Sequence, residues 1–476
     1  MSDADADADV DVDTAERIVV AGYGPAAHRL VERLAQRGHG GAVTVLGAEP
    51  EPAYQRPLLT SVVDGTLPSG ALRLPAAPEG VRLLLGVTAT AVDRERRLVH
   101  SDDGRSHPYD RLVLATGAAP RLPDLPWLRG GSNRQLPSGI RVLRTLDDTA
   151  ALAGTDPVTV VGGGPLAVEA VLALRRLGRD ATLVHRGPYP LDRHLDPRAG
   201  ELLSARLRAL DVDLCLGRTA QAYADGKLRL DDGRWVAAYD LLLCTGVTPR
   251  DGLARSAGLA VDGGVLVDDA LRTGDPRVHA IGDCARPAGP SGSYGGHRTA
   301  WEQAETLALL LTGDDSPPAR SRPVLRLRAR ELDLVRLGAP DGADETVVLA
   351  DAARGRYARL SLRDNRVCGA VLLGLDRAIA AVARLYQRGE PVPADRLALL
   401  LGAAPEYAGE ELPGDVVVCH CSNVTGTDLE AAWRSGARTP AALTAATRAS
   451  TGCGSCGDEL RRWCTEFGRR EEAVTA

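Results

Sequence analysis

Lysine is nearly missing from this 476-residue chain: Lys227 is the only one, and arginine supplies the remaining basic charge. Lysine chemistry is therefore ruled out almost everywhere. Long apolar runs are missing too, since nothing approaches the ~18 residues that a membrane-spanning helix needs. The N-terminus lacks the basic flank and apolar centre of a secretory signal, so a cytoplasmic protein is expected. Met1 to Glu16 is instead an Asp/Ala/Val repeat holding seven acids. Without them the formal net charge of -6 disappears and the body is nearly neutral. Residues 1–16 read as a disordered, solvating tail. Neither nucleic acid nor a membrane is an expected partner. The nine cysteines are an odd number, which without a secretion signal argues for a metal or redox site over a disulfide framework.

What is present is globular: 44% apolar and 25% charged residues, at a length that suggests roughly three domains. Ile18-Val19-Val20-Ala21 reads as a buried strand and runs into Gly22-Tyr23-Gly24-Pro25-Ala26-Ala27. A helix-period run to Gln36, a strand Ala42 to Leu46 and an acid, Glu49, follow. This is the G-x-G-x-x-G/A dinucleotide fingerprint in its required setting. Gly22 permits the turn, Gly24 lets backbone N–H groups approach a pyrophosphate, and Ala27 keeps helix and strand close. Pro25 opens the helix, whose positive N-terminal end faces the phosphates. Arg56, just downstream, can reach back to the same diphosphate. Strands are expected over Leu83 to Val92, Leu98 to His100 and Arg111 to Leu114. The last enters Thr116-Gly117, which returns the chain beside a dinucleotide.

A second fingerprint, Gly162, Gly164 and Ala167, follows the strand Pro157 to Val161 and opens a helix to about Leu177. Its second strand, Ala181 to Val184, ends in His185-Arg186 and not in an acid. An acid would hold the ribose 2′-OH of NAD, whereas a cation suits a 2′-phosphate, so NADH and NADPH both stay open. Tyr239 to Leu243 leads into a second Thr-Gly phrase at Gly246, and Val278 to Ala280 leads into Gly282-Asp283. His297 to Leu311 is an expected helix, and Thr312 to Pro323 a linker. Short strands with turns at Gly338, Gly355 and Asp364-Asn365 are expected from Val324 to Leu373, then helices Asp376 to Arg388 and Ala394 to Leu401. Cys244, Cys284 and Cys368 are expected in the core.

Near the C-terminus, Cys419-His420-Cys421 and Cys453-Gly454-Ser455-Cys456 are separated by thirty-one residues. Two tight thiolate pairs can enclose Zn²⁺ or a [2Fe–2S] cluster. Spacing alone favours zinc. If the dinucleotide on the first fingerprint is a flavin, the cluster is favoured, because a flavin module needs a one-electron outlet that zinc does not supply. His420 is expected to point to solvent.

The two fingerprints, the two Thr-Gly phrases and Gly282-Asp283 resemble the pyridine nucleotide-disulfide oxidoreductase class over Arg17 to about Leu311. The resemblance implies FAD on the first fingerprint, with Asp283 on the ribityl chain. It implies NAD(P)H on the second, with Glu169 near the nicotinamide, and no catalytic acid or base. The dithiol branch is excluded because no C-x-x-x-x-C pair follows the first helix. The ferredoxin-reductase branch carries R-P-P-L-S-K, whereas Arg56 to Ser61 lacks the lysine. The phrase Val184 to Asp196 is similar to the front end of NAD(P)H nitrite reductase large subunits. The cysteine tail is similar to bacterioferritin-associated ferredoxin-type [2Fe–2S] domains. No sirohaem domain follows, so nitrite reduction by this chain is not expected. The chain resembles instead the electron-transfer subunits that feed a molybdenum nitrate reductase.

The expected architecture is α/β: two Rossmann-like dinucleotide-binding domains, an α+β C-terminal domain and a small helical [2Fe–2S] domain. FAD is assigned to residues 17–122 and 246–315, NAD(P)H to 123–245, packing or homodimerisation to 322–410, and the cluster to 413–468. The leading expectation is NAD(P)H-dependent electron transfer to a partner reductase, most readily the molybdenum nitrate reductase catalytic subunit. A reductase of ferredoxin or rubredoxin, a zinc-bearing regulatory protein and an amine or opine oxidase subunit are the alternatives.

Overall fold

The computed structural model describes residues 16–128, 136–287, 296–314, 322–402, 414, 417–419, 424–450 and 456–475. The acidic tail other than Glu16, residues 315–321 of the linker, and Pro413 lie outside the described residues. Two compact units divide the chain. The first gathers Met1–Tyr54, Arg73–Ala119 and Val247–Arg320, the second Gln55–Leu72, Pro120–Gly246 and Ser321–Ala476.

The first unit is built on a five-stranded parallel sheet in the order Val278–Ala280, Arg111–Leu114, Ile18–Ala21, Val43–Gly47, Val81–Leu85. All four residues of the central strand are buried, as a parallel strand covered on both faces requires. The helix Pro25–Gln36 turns Ala26, Ala27, Leu30, Val31 and Leu34 inward, a stripe at 3.6-residue spacing. Its outer face is tied to the helix His297–Leu311 by Arg29 and Arg33, which reach Glu305 at 2.6 and 2.8 Å. One expected strand is corrected. Leu83 to Val92 divides into Val81–Leu85 and Ala89–Asp93, which belong to different sheets. Gly86, at φ 69°, turns the chain between them.

The second unit contains a sheet of the same design, in the order Val212–Leu216, Ala181–His185, Val158–Val161, Asp240–Leu243, Ile140–Arg141, again all parallel. Below its fingerprint helix Pro165–Arg176 lies a buried cation. Arg179 donates to the carbonyls of Asp156 (2.8 Å) and Leu152 (2.9 Å) and to Asp240 Oδ2 (2.6 Å). A guanidinium carries no such burial unless each direction is answered.

The same unit holds a five-stranded antiparallel sheet, ordered Val324–Arg326, Leu334–Gly338, Arg366–Leu373, Arg356–Arg363, Glu345–Asp351. Asp364 and Asn365 both take positive φ, 50° and 58°, the requirement of a two-residue hairpin whose twist matches its strands. One face of this sheet, with Leu337, Leu360 and Leu372, buries Ile379, Val382 and Leu385 of the helix Asp376–Arg388. The next helix is shorter than expected, Arg396–Leu400, because Asp395 caps it by accepting from Ala398 N at 2.8 Å. Three helices close the chain: Gly426–Arg434, Pro440–Thr447 and Gly457–Thr475. Thr425 and Asp428 form a capping box on the first. Phe467 packs against Trp433 and Trp463, at ring separations of 5.3 and 5.4 Å. No helix among the described residues is long and apolar enough to cross a membrane.

Candidate cofactor sites

Register decides which motifs meet. In the first unit Ala21 pairs with Leu114, and Leu114 with Ala280. Gly22, Thr116-Gly117 and Gly282-Asp283 therefore all leave the sheet at one carboxyl edge, where ligands of open parallel sheets bind. A Cβ on Gly22, at φ 112°, would lie 2.2 Å from the Ala115 carbonyl oxygen, so no other residue fits that crossing. At Gly24, the N-cap of the helix, a Cβ would meet nothing within 4 Å. No side chain caps this end, Pro25 occupies the first turn, and no acid neutralises it. The free N–H groups and the positive end of the helix thus face open space that a pyrophosphate can fill.

Around that edge, Glu49 accepts a 2.7 Å hydrogen bond from the buried Tyr54 hydroxyl. Thr116 Oγ1 donates to the Arg250 carbonyl at 2.6 Å. The Gly282 N–H donates to Gln303 Oε1 at 2.7 Å, and a Cβ on Gly282 would lie 3.2 Å from Ala26 of the fingerprint helix. Asp283 follows directly on this clamp, partly exposed. Burial pushes the Tyr23 hydroxyl up to about 12, so it stays protonated. Cys284 is fully buried, its thiol directed at the Leu114 and Ile281 carbonyls. Burial also raises it, consistent with a core residue.

The second unit repeats the edge. Val161 pairs with both Val184 and Leu243, so Gly162, His185 and the Thr-Gly phrase emerge together. Gly162, at φ 141°, would place a Cβ 2.2 Å from the Cys244 carbonyl oxygen, and a Cβ on Gly164 or Gly246 meets nothing within 4 Å. The helix Pro165–Arg176 likewise begins with Pro165, no side-chain cap and no acid in its first turn. Glu169, buried on that helix, accepts the Arg328 N–H at 2.8 Å. Cys244 is buried, and burial followed by the Glu169 charge pushes its thiol up to about 12.

His185, one of the two residues standing where an acid would hold the ribose, is buried. It closes the strand and is 8% exposed, with its ring over Gly163 and Gly187. Burial lowers its pKa against the opposing pull of Asp192, 3.2 Å away. The exposed cation at this edge is Arg186. Arg56 sits in the segment grouped with the second unit, where its Nη1 donates to the Arg144 carbonyl at 3.0 Å.

Of the four clustered cysteines, Cys419 ends the strand Val417–Cys419 and Cys456 immediately precedes the helix Gly457–Thr475, and both are buried. His420, Cys421 and Cys453 lie outside the described residues. The indole N–H groups of Trp433 and Trp463 are buried in this domain without a hydrogen-bond partner among the described residues. Buried thiols in a small domain suit an iron–sulfur centre, which thiolates hold. Four supporting residues carried no signal in the sequence: Tyr54, Gln303, Asp192 and Arg328. The last three act on partners across 21, 7 and 159 positions.

Comparison with known proteins agrees with this geometry. Residues 16–305 match the family model described as pyridine nucleotide-disulphide oxidoreductase, and residues 417–463 match a BFD-like [2Fe-2S] binding domain. A nitrite reductase [NAD(P)H] of Bacillus subtilis (strain 168) is 28% identical over 93% of this chain and 56% of its own length. The assimilatory nitrate reductase electron transfer subunit of the same organism is 27% identical over 97% of this chain and 61% of its own length. The chain thus spans somewhat over half of these relatives. Among solved structures, the covalent putidaredoxin reductase–putidaredoxin complex aligns with a TM-score of 0.72 at 25% identity, covering 82% of this chain and 99% of that one.

Proposed function

The chain belongs to the pyridine nucleotide-disulphide oxidoreductase family and carries a BFD-like [2Fe-2S] domain, and on that premise we propose that it delivers electrons from NAD(P)H to an assimilatory nitrate reductase. It is an NAD(P)H-dependent oxidoreductase whose cofactors are FAD, NAD(P)H and a [2Fe–2S] cluster. FAD accepts the two electrons of a hydride together and the cluster takes electrons singly, so the cofactors supply the chemistry. The chain supplies position and environment. The uncapped start of Pro25–Gln36 binds one pyrophosphate, with Glu49 on a ribose and Asp283 on the ribityl chain. The matching start of Pro165–Arg176 binds the other, and Glu169, fixed by the Arg328 N–H, borders the nicotinamide. Cys419, Cys421, Cys453 and Cys456 hold the cluster. No side chain has to move a proton for hydride transfer.

One observation carries the reading: two like nucleotide-binding edges and a cysteine-rich [2Fe–2S] domain occur on one chain. A Cys453→Ser variant is expected to lose iron and acid-labile sulfide, keep NAD(P)H–ferricyanide activity and stop reducing a molybdenum nitrate reductase. Full-rate reduction of that partner by the variant would sink the proposal. A second reading, delivery to a small separate redox protein, is favoured by the likeness to putidaredoxin reductase in its complex. Rates measured side by side with a ferredoxin and with nitrate reductase separate the two.

A further inference from the structure

A cavity of about 230 Å³ lies within the second unit, between the loop 191–196 and the antiparallel sheet. We propose that it binds a small tetrahedral oxyanion of the phosphate type, held by Arg336 and Arg359. The register brings these two residues to one point. Both are paired with Val371 of the central strand, Arg336 from one neighbouring strand and Arg359 from the other. Their Cα atoms are therefore about two strand spacings, roughly 10 Å, apart, within easy reach of two long side chains. They stand on the face opposite Leu337, Leu360 and Ala370, which pack into the core. Ser361 and Gly369, paired two positions along, keep the floor beside them low.

Charge then selects the ligand. Two other arginines of this unit are answered by carboxylates: Arg176 by Asp64 and Glu331, Arg179 by Asp240. Arg336, Arg359 and Arg193, all lining the cavity, have no carboxylate within 4 Å among the described residues. The two acids of the lining are committed elsewhere. Asp192 faces His185 at 3.2 Å. Asp196 caps the helix Pro197–Ala209 through Ala199 N at 3.1 Å and accepts the Tyr357 hydroxyl at 3.0 Å. His194 also borders the space, and burial with Arg336 and Arg193 nearby keeps it neutral. It can donate an N–H without adding charge.

Size and shape narrow the class. The volume falls below the roughly 300–1,000 Å³ of ordinary organic-ligand pockets, so a whole dinucleotide does not fit. A carboxylate offers its two oxygens along one edge and satisfies a single guanidinium fork. Two forks converging from opposite strands need acceptor oxygens on several sides, which a phosphate or sulfate presents. Such a group has two sources here: a free anion, or the 2′-phosphate of NADPH, since Asp192 touches both the cavity and His185.

Calorimetric titration of the holoenzyme with inorganic phosphate tests the site. Saturable binding is expected, weakened about tenfold by Arg336→Gln or Arg359→Gln and about a hundredfold by both, on the scale of charge-assisted bonds. The exposed Arg354→Gln should leave it unchanged. If the double variant is unstable, Arg359→Lys serves, because it keeps the charge and loses the fork, and should still weaken binding. Competition by NADPH but not NADH would identify the nucleotide as the source, and no competition by either a free anion. Absence of saturable binding, or equal affinity in wild type and the double variant, overturns the site.

Discussion

The two parallel sheets of this chain share the order of four strands, their register and their glycine placement, and differ at both rims. At the carboxyl rim the first sheet offers Glu49, held by Tyr54, while the second offers buried His185 and exposed Arg186. At the opposite rim the second sheet is pinned by Arg179, which is fully buried against Asp240. The first has at the corresponding strand an ion pair of reversed sense, Arg111 with Glu16 at 2.7 Å, each about a third exposed. The shared parts are those a pyrophosphate demands of any such fold. The divergent parts choose the rest of the ligand and set local stability. The same design has thus been differentiated by a few side chains.

The largest effect should come from the shared crossing. Gly22→Ala and Gly162→Ala each place a Cβ 2.2 Å from a backbone carbonyl at a φ that disfavours L-residues, a combined cost of roughly 3 kcal/mol or more. Gly22→Ala should purify without flavin, read from the visible absorbance per protein. Gly162→Ala should keep its flavin and lose reduction by NAD(P)H by about a hundredfold or more, the rate equivalent of that cost. If both variants lose flavin, the assignment of one cofactor to each edge fails.

The opposite rims come next. Arg179→Met leaves the partly buried Asp240 with only Arg141, 3.4 Å away, as counter-charge, and should cost about 3 kcal/mol, the low end for a broken buried pair. Glu16→Gln removes an exposed pair and should cost under about 1 kcal/mol. Denaturant unfolding, monitored in the holoenzyme, reads both. Equal losses would erase the distinction drawn between a buried pin and a surface pair.

These rims also show where a sequence is informative and where it is not. The fingerprints, the Thr-Gly phrases and the Asp364-Asn365 hairpin were legible because each encodes a local backbone requirement that few residue types meet. Helices Asp376–Arg388 and His297–Leu311 fall at the bounds their periodicity implies. The single strand expected across Leu83 to Val92 ignored Gly86, whose positive φ turns the chain into another sheet. The burial of His185 was not legible, because residue type alone does not reveal desolvation. Gln303 on Gly282 and Arg328 on Glu169 were invisible, since both depend on contacts between distant segments.

A histidine contrast is smaller and separates the units by pH. His279 in the first unit is 4% exposed, and burial, followed by the nearby Arg111 and Arg272, lowers its pKa to about 4. The folded state therefore prefers the neutral ring. Stability from this group is complete above the unfolded value near 6.5 and is lost as pH falls from there towards 4, by roughly 3 kcal/mol in all. At His185 in the second unit Asp192 opposes the lowering, so of these two histidines His279 should carry more of the acid sensitivity. His279→Leu should flatten the fall in melting temperature between pH 7 and pH 5. An unchanged slope would mean that another group carries the acid sensitivity.

The smallest effect should be on nucleotide choice. With His185 kept neutral by burial, it offers no positive charge to a 2′-phosphate, and Arg186 is the exposed cation beside it. A neutral glutamine in its place, Arg186→Gln, should lower kcat/KM for NADPH by about tenfold, one charge-assisted contact, while leaving NADH nearly untouched. His185→Gln should leave the ratio of the two nucleotides almost unchanged, because it removes a ring that carries no charge at neutral pH. The first edge supplies the control. There the proposed ribose partner is an acid, Glu49, so Glu49→Gln should alter flavin retention and not the NADPH to NADH ratio. If His185→Gln shifts that ratio more than Arg186→Gln does, the buried imidazole reads the nucleotide after all, and the two edges discriminate through their strand ends by the same device.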